Sequence, residues 1–153
     1  GVFVDHSPEE IARIAALTGI RIAQLHGSEG WDLLDHIDLS VIKAIPQDRI
    51  ADWGGLKADW DKHAGKQPKW FLIDSKTDKG FGGTGAVFDW TKLRSADFPV
   101  PFFLAGGIGP ENLAEATRVA RPYAVDLNSK VETAPGVKDV DAVSRCLDIF
   151  AEG

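Results

Sequence analysis

The stretch Trp70-Phe71-Leu72-Ile73-Asp74 is a short, continuous apolar run that ends on a carboxylate. A run of this length, with aromatic and β-branched residues, is typical of a strand that is buried on both faces of a parallel sheet. Five other runs have the same character: Val2–Val4, Ile20–Leu25, Val41–Ile45, Pro101–Ala105 and Tyr123–Leu127. The sequence therefore predicts six parallel strands.

Each predicted strand is followed by a segment with helical spacing. The first of these segments begins at Ser7-Pro8-Glu9-Glu10, where a serine cap, an early proline and a glutamate at the third helical position favour a helix start. Gly19 favours its end. The other predicted helices extend from Ser28 or Gly30 to Ile37, and over Asp48–His63, Asp89–Arg94, Gly109–Ala120 and Lys138–Ala151. This alternation predicts an α/β protein of six βα units.

Length and composition restrict the class of protein. We expect one domain, residues 1–153, because no linker or low-complexity stretch interrupts the chain. No apolar run approaches the roughly 20 residues that span a bilayer, so we expect no membrane partner. With 23 acidic and 17 basic residues the net charge is −6, which argues against a nucleic-acid partner. The single cysteine, Cys146, indicates a reducing compartment, and we expect the cytoplasm.

The number of units leaves two architectures open. Six units are too few for a complete eightfold barrel, which needs at least about 200 residues. The chain therefore forms either an open, doubly wound sheet or a (βα)8 barrel without two of its units. It contains no methionine and begins inside a predicted strand, Gly1-Val2-Phe3-Val4, so we expect it to be a piece of a longer protein.

Polar residues follow the ends of the second and fourth strands, where both architectures place their sites. Gln24 and His26 lie two residues apart, so their side chains share a face, although a hydrogen-bonded core histidine explains them equally well. Asp74 follows an apolar run, which favours the protonated carboxyl that a general acid requires. A carboxylate that only caps the next loop is the alternative. The segment Gly80–Gly85 that follows would suit a loop closing over a ligand.

Glycine and small polar residues follow the last two predicted strands. Gly106 and Gly107 would let backbone N–H groups approach an anion closely. After the sixth strand, Asp126 and Asn128 share a face, and Ser129 adds a hydroxyl group. Barrel enzymes often hold a substrate phosphate between the loops after their last two strands, so these residues predict a phosphate site. Glycines that only form tight turns are the alternative.

Together these strand ends resemble the phosphoribosylanthranilate isomerase family. The matching stretches occur in the family's order: Gly1-Val2-Phe3-Val4, Gln24-Leu25-His26-Gly27, Ile42-Lys43-Ala44, Ile73-Asp74, Gly82-Gly83-Thr84-Gly85, Phe88-Asp89-Trp90, Leu104-Ala105-Gly106-Gly107-Ile108, Pro110-Glu111-Asn112, Val125-Asp126, Ser129, Val131-Glu132, Pro135-Gly136 and Lys138-Asp139. The resemblance implies a TIM (βα)8 barrel, of which this chain holds an incomplete (βα)6 portion with residue 1 in the family's third strand.

The resemblance also implies a reaction, the Amadori rearrangement of the phosphosugar N-(5-phosphoribosyl)anthranilate in tryptophan biosynthesis, without a metal or organic cofactor. Asp74 is implied as the general acid. The implied phosphate residues are Gly106, Gly107, Asn128 and Ser129, and the residues implied on the anthranilate side of the pocket are Gln24, His26 and Asp126.

The family's general base is a cysteine at the end of its first strand, in a motif that this sequence lacks. Cys146 is no substitute, because it lies between Val143 and Leu147 on the closing helix and is predicted to be core. We therefore expect the chain to be inactive by itself. One alternative is a non-catalytic fragment that keeps a phosphate-binding half-site and self-associates through exposed sheet edges. Another is an enzyme for a different phosphorylated sugar, against which the Gly82–Gly85 loop weighs.

Overall fold

The computed structural model of the chain describes residues 1–50, 53–74 and 89–152, apart from the side chains of residues 47, 48 and 152. Its six parallel strands are β1 (Val2–Phe3), β2 (Ile22–Leu25), β3 (Ser40–Pro46), β4 (Trp70–Asp74), β5 (Phe102–Ala105) and β6 (Ala124–Val125). Each pairs with the next along the chain, so their order across the sheet is sequential. A doubly wound sheet reverses its order at a switch point, whereas a barrel does not. The predicted barrel portion is confirmed, and the doubly wound alternative is wrong.

Helices connect the strands and pack on one face of the sheet. They are α1 (Pro8–Thr18), α2 (Gln47–Ile50), α3 (Trp53–Lys62), α4 (Thr91–Ser95), α5 (Leu113–Ala120) and α6 (Val140–Glu152), with 3-10 helices at Trp31–His36 and Ser129–Val131. After β6, the strands β7 (Glu132–Ala134) and β8 (Val137–Lys138) form a small antiparallel hairpin that the sequence did not predict. In the described ranges, every helix is too short or too polar to cross a bilayer.

The first helix begins as the sequence predicts. The Oγ atom of Ser7 accepts a hydrogen bond from the Glu10 amide at 3.3 Å, and the Glu10 carboxylate accepts one from the Ser7 amide at 2.9 Å. This reciprocal pair satisfies two backbone donors that the first turn leaves without helical partners. The helix ends at Gly19, whose φ of 73° is a left-handed conformation that glycine adopts without strain.

The sheet has apolar side chains on both faces. The main core lies on the helix side and includes Phe71 and Ile73, both fully buried. A smaller inner cluster of Ala44, Leu72 and Ala105 lies on the other face. Because side chains alternate along a strand, the end of β4 presents its last residue on the inner face, the same face as Leu72.

Several elements have other bounds than the sequence predicts. The second helix is the 3-10 helix Trp31–His36, which has too few residues to complete two α-helical turns. The predicted helix Asp48–His63 is present as α2 and α3, with residues 51–52 outside the described ranges. The predicted strand Tyr123–Leu127 is shortened to Ala124–Val125, because β6 is an edge that forms ladder hydrogen bonds only with β5 among the described strands.

Three helices begin later than predicted because the residues before them serve as caps or turns. Asp139 accepts hydrogen bonds from two amides of the first turn of α6, at 3.0 and 3.1 Å. Asp89 accepts one from the Thr91 amide at 3.1 Å, so it precedes α4. Gly109 and the three residues after it form a turn before α5 begins at Leu113.

Candidate active site

Three of the predicted site residues form a hydrogen-bonded chain on the inner face. The Nε2 atom of Gln24 lies 2.9 Å from Nδ1 of His26, and Nε2 of His26 lies 3.3 Å from Oδ2 of Asp74. The side chains of His26 and Asp74 are 31% and 21% exposed, so a ligand can reach them. The structure thus brings together residues that are 48 positions apart in sequence.

The two partners of the His26 ring suit one of its tautomers. An amide nitrogen can only donate, so Nδ1 of His26 accepts from Gln24. The proton of the neutral imidazole is then on Nε2, from which it is donated to the Asp74 carboxylate. Gln24 therefore orients His26, and His26 in turn orients Asp74.

The strand register places Asp74 beside the glycine loop after β5. Asp74 pairs with Pro46 on one side and with Ala105 on the other. Gly106 follows Ala105 directly, so the carboxylate and the glycine pair lie at the same end of the sheet. The backbone N–H of Asp126 donates to the Leu104 carbonyl at 2.8 Å, which brings the end of β6 to this level as well.

Left-handed backbone conformations shape the loop after β5. Gly106 and Gly107 have φ values of 83° and 68°, which strain any residue with a Cβ atom. The side chain of Asn112 spans the loop, because its Nδ2 donates to the Gly107 carbonyl at 3.1 Å and its Oδ1 accepts from the Gly109 amide at 2.9 Å. Asn112 therefore holds the loop in one conformation.

The loops after β5 and β6 pack directly against each other. A Cβ atom on Gly109 would lie 2.7 Å from Cβ of Lys130, so the two backbones approach as closely as glycine permits. Asn128 is held from the hairpin, because Nζ of Lys138 lies 2.8 Å from its Oδ1 and 3.3 Å from its carbonyl oxygen. The sequence pattern did not reveal the roles of Asn112 and Lys138, since both depend on contacts between segments.

The remaining predicted residues have more open surroundings. Asp126, Asn128 and Ser129 are exposed at the end of β6. The glycine-rich segment Gly80–Gly85, predicted as a closing loop, lies outside the described residues. A cavity of about 410 Å³ is present at the opposite ends of the strands, lined by Arg21, Ser40, Lys69 and others, and no predicted site residue lines it.

A buried ion pair on the helix side of the sheet was not predicted from the sequence. Nζ of Lys43 donates to Oε2 of Glu29 at 2.7 Å, and the two side chains are 8% and 3% exposed. Burial raises the pKa of Glu29, but the hydrogen bonds from Lys43 and from backbone amides outweigh burial and hold this pKa below its ordinary value. The signal was available, since a lysine inside the apolar run Val41–Ile45 requires a buried partner.

The cysteine has the environment that the sequence predicts. Cys146 is fully buried in the main core, and burial raises the pKa of its thiol. In the part of the chain that the structure describes, no group of three His, Cys, Asp or Glu side chains is arranged to hold a metal ion.

Parallel strands in sequential order, with polar residues and paired glycines at their carboxyl ends, define the class: an enzyme of the (βα) barrel type. Residues 1–148 match the family model of N-(5'phosphoribosyl)anthranilate (PRA) isomerase. The chain belongs to this family.

Individual relatives agree with the family match. The chain is 40% identical over 147 residues to the N-(5'-phosphoribosyl)anthranilate isomerase of Petrotoga mobilis, covering 96% of this chain and 69% of the relative. It is 39% identical over 145 residues to that of Magnetococcus marinus, covering 95% of this chain and 66% of the relative. The chain thus spans about two thirds of the length of these relatives.

Solved structures show the same fold. The phosphoribosyl anthranilate isomerase of Thermotoga maritima superimposes with a TM-score of 0.80 at 34% identity, over 100% of this chain and 72% of that one. An isomerase in complex with reduced 1-(o-carboxyphenylamino)-1-deoxyribulose 5-phosphate gives a TM-score of 0.75 at 29% identity, over 100% and 71%. The predicted family and barrel fold are confirmed, as is the isomerase role in tryptophan biosynthesis. Because the family is one of isomerases, the alternative of a phosphate-binding protein without an isomerase role is not favoured.

Proposed function

We propose that Asp74 is the general acid of the Amadori rearrangement of N-(5-phosphoribosyl)anthranilate. The observation that carries this proposal is the position of Asp74, the last residue of β4. Its carboxylate contacts His26 at 3.3 Å on the inner face, and its backbone pairs with Ala105, the residue directly before Gly106. From there it can give its proton to the ring oxygen of a phosphosugar whose phosphate is bound at the neighbouring loops. The C1–O bond then breaks as the amine lone pair forms the C1=N bond of a Schiff base.

The second half of the reaction needs a base. Removal of the proton on C2 moves its electron pair into a C1–C2 double bond and neutralises the Schiff base to an enolamine. Protonation at C1 and loss of the hydroxyl proton at C2 then give the ketone. By the family resemblance this base is a cysteine of the first strand, a motif that the 153 residues lack. We infer that the chain by itself has no turnover.

The protonation of Asp74 depends on its partner. Burial and the negative charges of a bound phosphosugar favour the neutral carboxyl, whereas a hydrogen bond donated by His26 favours the carboxylate. The contact is compatible with acid catalysis, because a neutral carboxyl group can accept from His26 on Oδ2 and carry its transferable proton on the other oxygen. Gln24 keeps the His26 ring in place through Nδ1.

We assign the phosphate to the backbone N–H groups of Gly106 and Gly107 together with Asn128 and Ser129. The close packing of Gly109 against Lys130 supports this assignment, because it brings the loops after β5 and β6 together. Asp126 is assigned to the anthranilate side of the pocket from the family resemblance alone.

Titration of the 153-residue chain with inorganic phosphate tests the anion site. We expect the amide signals of Gly106, Gly107 and Ser129 to move in a nuclear magnetic resonance spectrum, with chloride at equal ionic strength as the control. If phosphate moves other amides and leaves these three unchanged, the assignment is wrong.

Turnover assays test whether the general base lies outside these 153 residues. We define the joined isomerase as the first two βα units of the Thermotoga maritima enzyme followed by this chain from Gly1. The joined isomerase should convert phosphoribosylanthranilate, whereas the 153-residue chain should not. Turnover by the 153-residue chain would show that it contains a base not identified above.

We also infer cytoplasmic location from the single cysteine, and self-association from the exposed sheet edges. Val2 and Val4 at the β1 edge are 64% and 55% exposed, and Tyr123 at the β6 edge is 69% exposed. Sedimentation of the 153-residue chain should therefore depend on concentration. A monomer at all concentrations would contradict the inferred self-association. The acidic net charge of −6 argues against a nucleic-acid partner.

A further inference from the structure

The Glu29–Lys43 ion pair contacts the backbone of two loops at the carboxyl end of the sheet. Glu29 accepts hydrogen bonds from the Asp5 amide at 2.9 Å and from the Gly27 amide at 3.0 and 3.2 Å. Nζ of Lys43 donates to the Gly27 carbonyl at 3.1 Å. Both backbone polar groups of Gly27 are therefore bound by this one pair of side chains.

The pair lies on the opposite side of the sheet from the candidate site. Lys43 pairs in register with Leu25, which is buried in the helix-side cluster around Ile11. The side chain of His26, the next residue after Leu25, points to the inner face and reaches Asp74. The ion pair thus binds the backbone of Gly27, the residue after His26, from the helix side of the sheet.

Stability alone is a weak reason for such a pair. Removing two charges from water costs several kcal/mol per ion, and apolar side chains of similar volume often replace a buried ion pair without loss of stability. Apolar side chains cannot supply directional hydrogen bonds to Gly27 and Asp5. The pair therefore gives the loop a defined position that apolar side chains of similar volume could not give.

We propose that Glu29 and Lys43 are positioning residues that fix Gly27 and thereby hold the ring of His26 against Asp74. The proposal adds a role for this pair to the proposed function, on which it rests for the importance of the His26–Asp74 contact. Gly27 suits this role, since a Cβ atom there would lie 2.8 Å from the Asp5 backbone nitrogen and the loops leave it no other position.

The test compares the response of His26 to a change at Asp74 in two backgrounds. In the native chain, Asp74→Asn should shift the ring ¹⁵N signals of His26. In the double variant Glu29→Gln/Lys43→Met, which leaves no unpaired buried charge, that shift should fall by about half or more. Lys57→Met is the matched control, because it breaks the exposed Lys57–Asp61 pair of α3 and should leave the response unchanged.

An undiminished response of His26 in the folded double variant would overturn the proposal. Hydrogen exchange in the native chain gives a second measurement that needs no variant. The Asp5 and Gly27 amides should be protected to a similar degree, because one carboxylate binds both. Exchange of both at the rate of an open loop would also overturn the proposal. Neither measurement depends on turnover, so a failure of this positioning role can be distinguished from a failure of the proposed function.

Discussion

Replacing Gly27 by alanine tests how closely the loops after β1 and β2 pack. A Cβ atom at this position would lie 2.5 Å from Oδ1 of Asp5 and 2.8 Å from its backbone nitrogen. Side-chain carbon atoms do not approach other atoms so closely, and a backbone nitrogen cannot rotate away. The Asp5 carboxylate is also held, since it accepts hydrogen bonds from the amide and the hydroxyl of Ser28 at 2.7 and 2.8 Å.

The size of the effect follows from these contacts. Overpacking of this kind costs about 1–3 kcal/mol, and a hydrogen bond lost when Asp5 moves adds about 1 kcal/mol. We therefore expect Gly27→Ala to lower the free energy of unfolding by about 2–4 kcal/mol. For a chain of this length, the corresponding fall in Tm is roughly 4–16 °C.

Urea unfolding followed by circular dichroism measures this change. Gly54→Ala is the matched control, because a Cβ atom at that position in α3 would lie within 4 Å of no atom beyond the adjoining residues and backbone of its own helix. Gly54 is the second residue of α3, so alanine there should change the free energy of unfolding by no more than about 1 kcal/mol. A Gly27→Ala chain within about 0.5 kcal/mol of the native one would refute the packing derived for these loops.

Three further substitutions have defined outcomes. Asn112→Ala removes two hydrogen bonds across the loop that contains Gly107, so phosphate should bind roughly tenfold more weakly in calorimetry; unchanged affinity would separate this loop from the anion site. The pKa of Glu29 is lowered from 4.5 in the folded chain, so the ionised carboxylate contributes stability above that pH, and this contribution is lost as pH falls through the lower folded pKa. Glu29→Gln should therefore lose less free energy of unfolding than the native chain as pH falls. An identical pH profile of stability in the two chains would contradict this. Phe71→Ala should lower the free energy of unfolding by about 3–5 kcal/mol, because the ring is fully buried among four other aromatic rings; a loss below about 1 kcal/mol would contradict that packing.

The positions of the strands could be predicted because the apolar runs are short and continuous. The run Trp70–Ile73 becomes β4 with one added residue, Asp74, and the run Val41–Ile45 becomes β3 with one added at each end. Alternation along β2 also predicted that Gln24 and His26 share a face, and the structure shows them hydrogen-bonded. Each of these features depends on neighbours within one segment.

The hairpin and the shorter helices could not be predicted in the same way. The strands of the hairpin, Glu132–Ala134 and Val137–Lys138, are too short to show an alternating pattern. The 3-10 helix Trp31–His36 has the apolar spacing of an α-helix, and periodicity does not distinguish the two over six residues. The predicted helix starts at Asp89 and Lys138 were too early, because a residue that caps a helix, such as Asp139, resembles a residue inside it.

Contacts between distant segments were the least predictable part of the site. The 3.3 Å contact between His26 and Asp74 depends on the register of β2, β3 and β4, which no single segment encodes. The bonds of Lys43 to Glu29 and of Lys138 to Asn128 likewise depend on how loops return to the sheet. A charged residue in an apolar run indicates that a partner exists, but not which residue it is.

The role of Asp74 as the general acid is tested most directly by turnover of the joined isomerase carrying Asp74→Asn. Asparagine keeps the size of the side chain but cannot give up a proton, so kcat should fall by about two to four orders of magnitude while the fold remains intact. Asp61→Asn, a change at a 56% exposed side chain of α3, is the matched control and should leave kcat unchanged. A loss of kcat below about tenfold for Asp74→Asn would contradict acid catalysis by this carboxyl group.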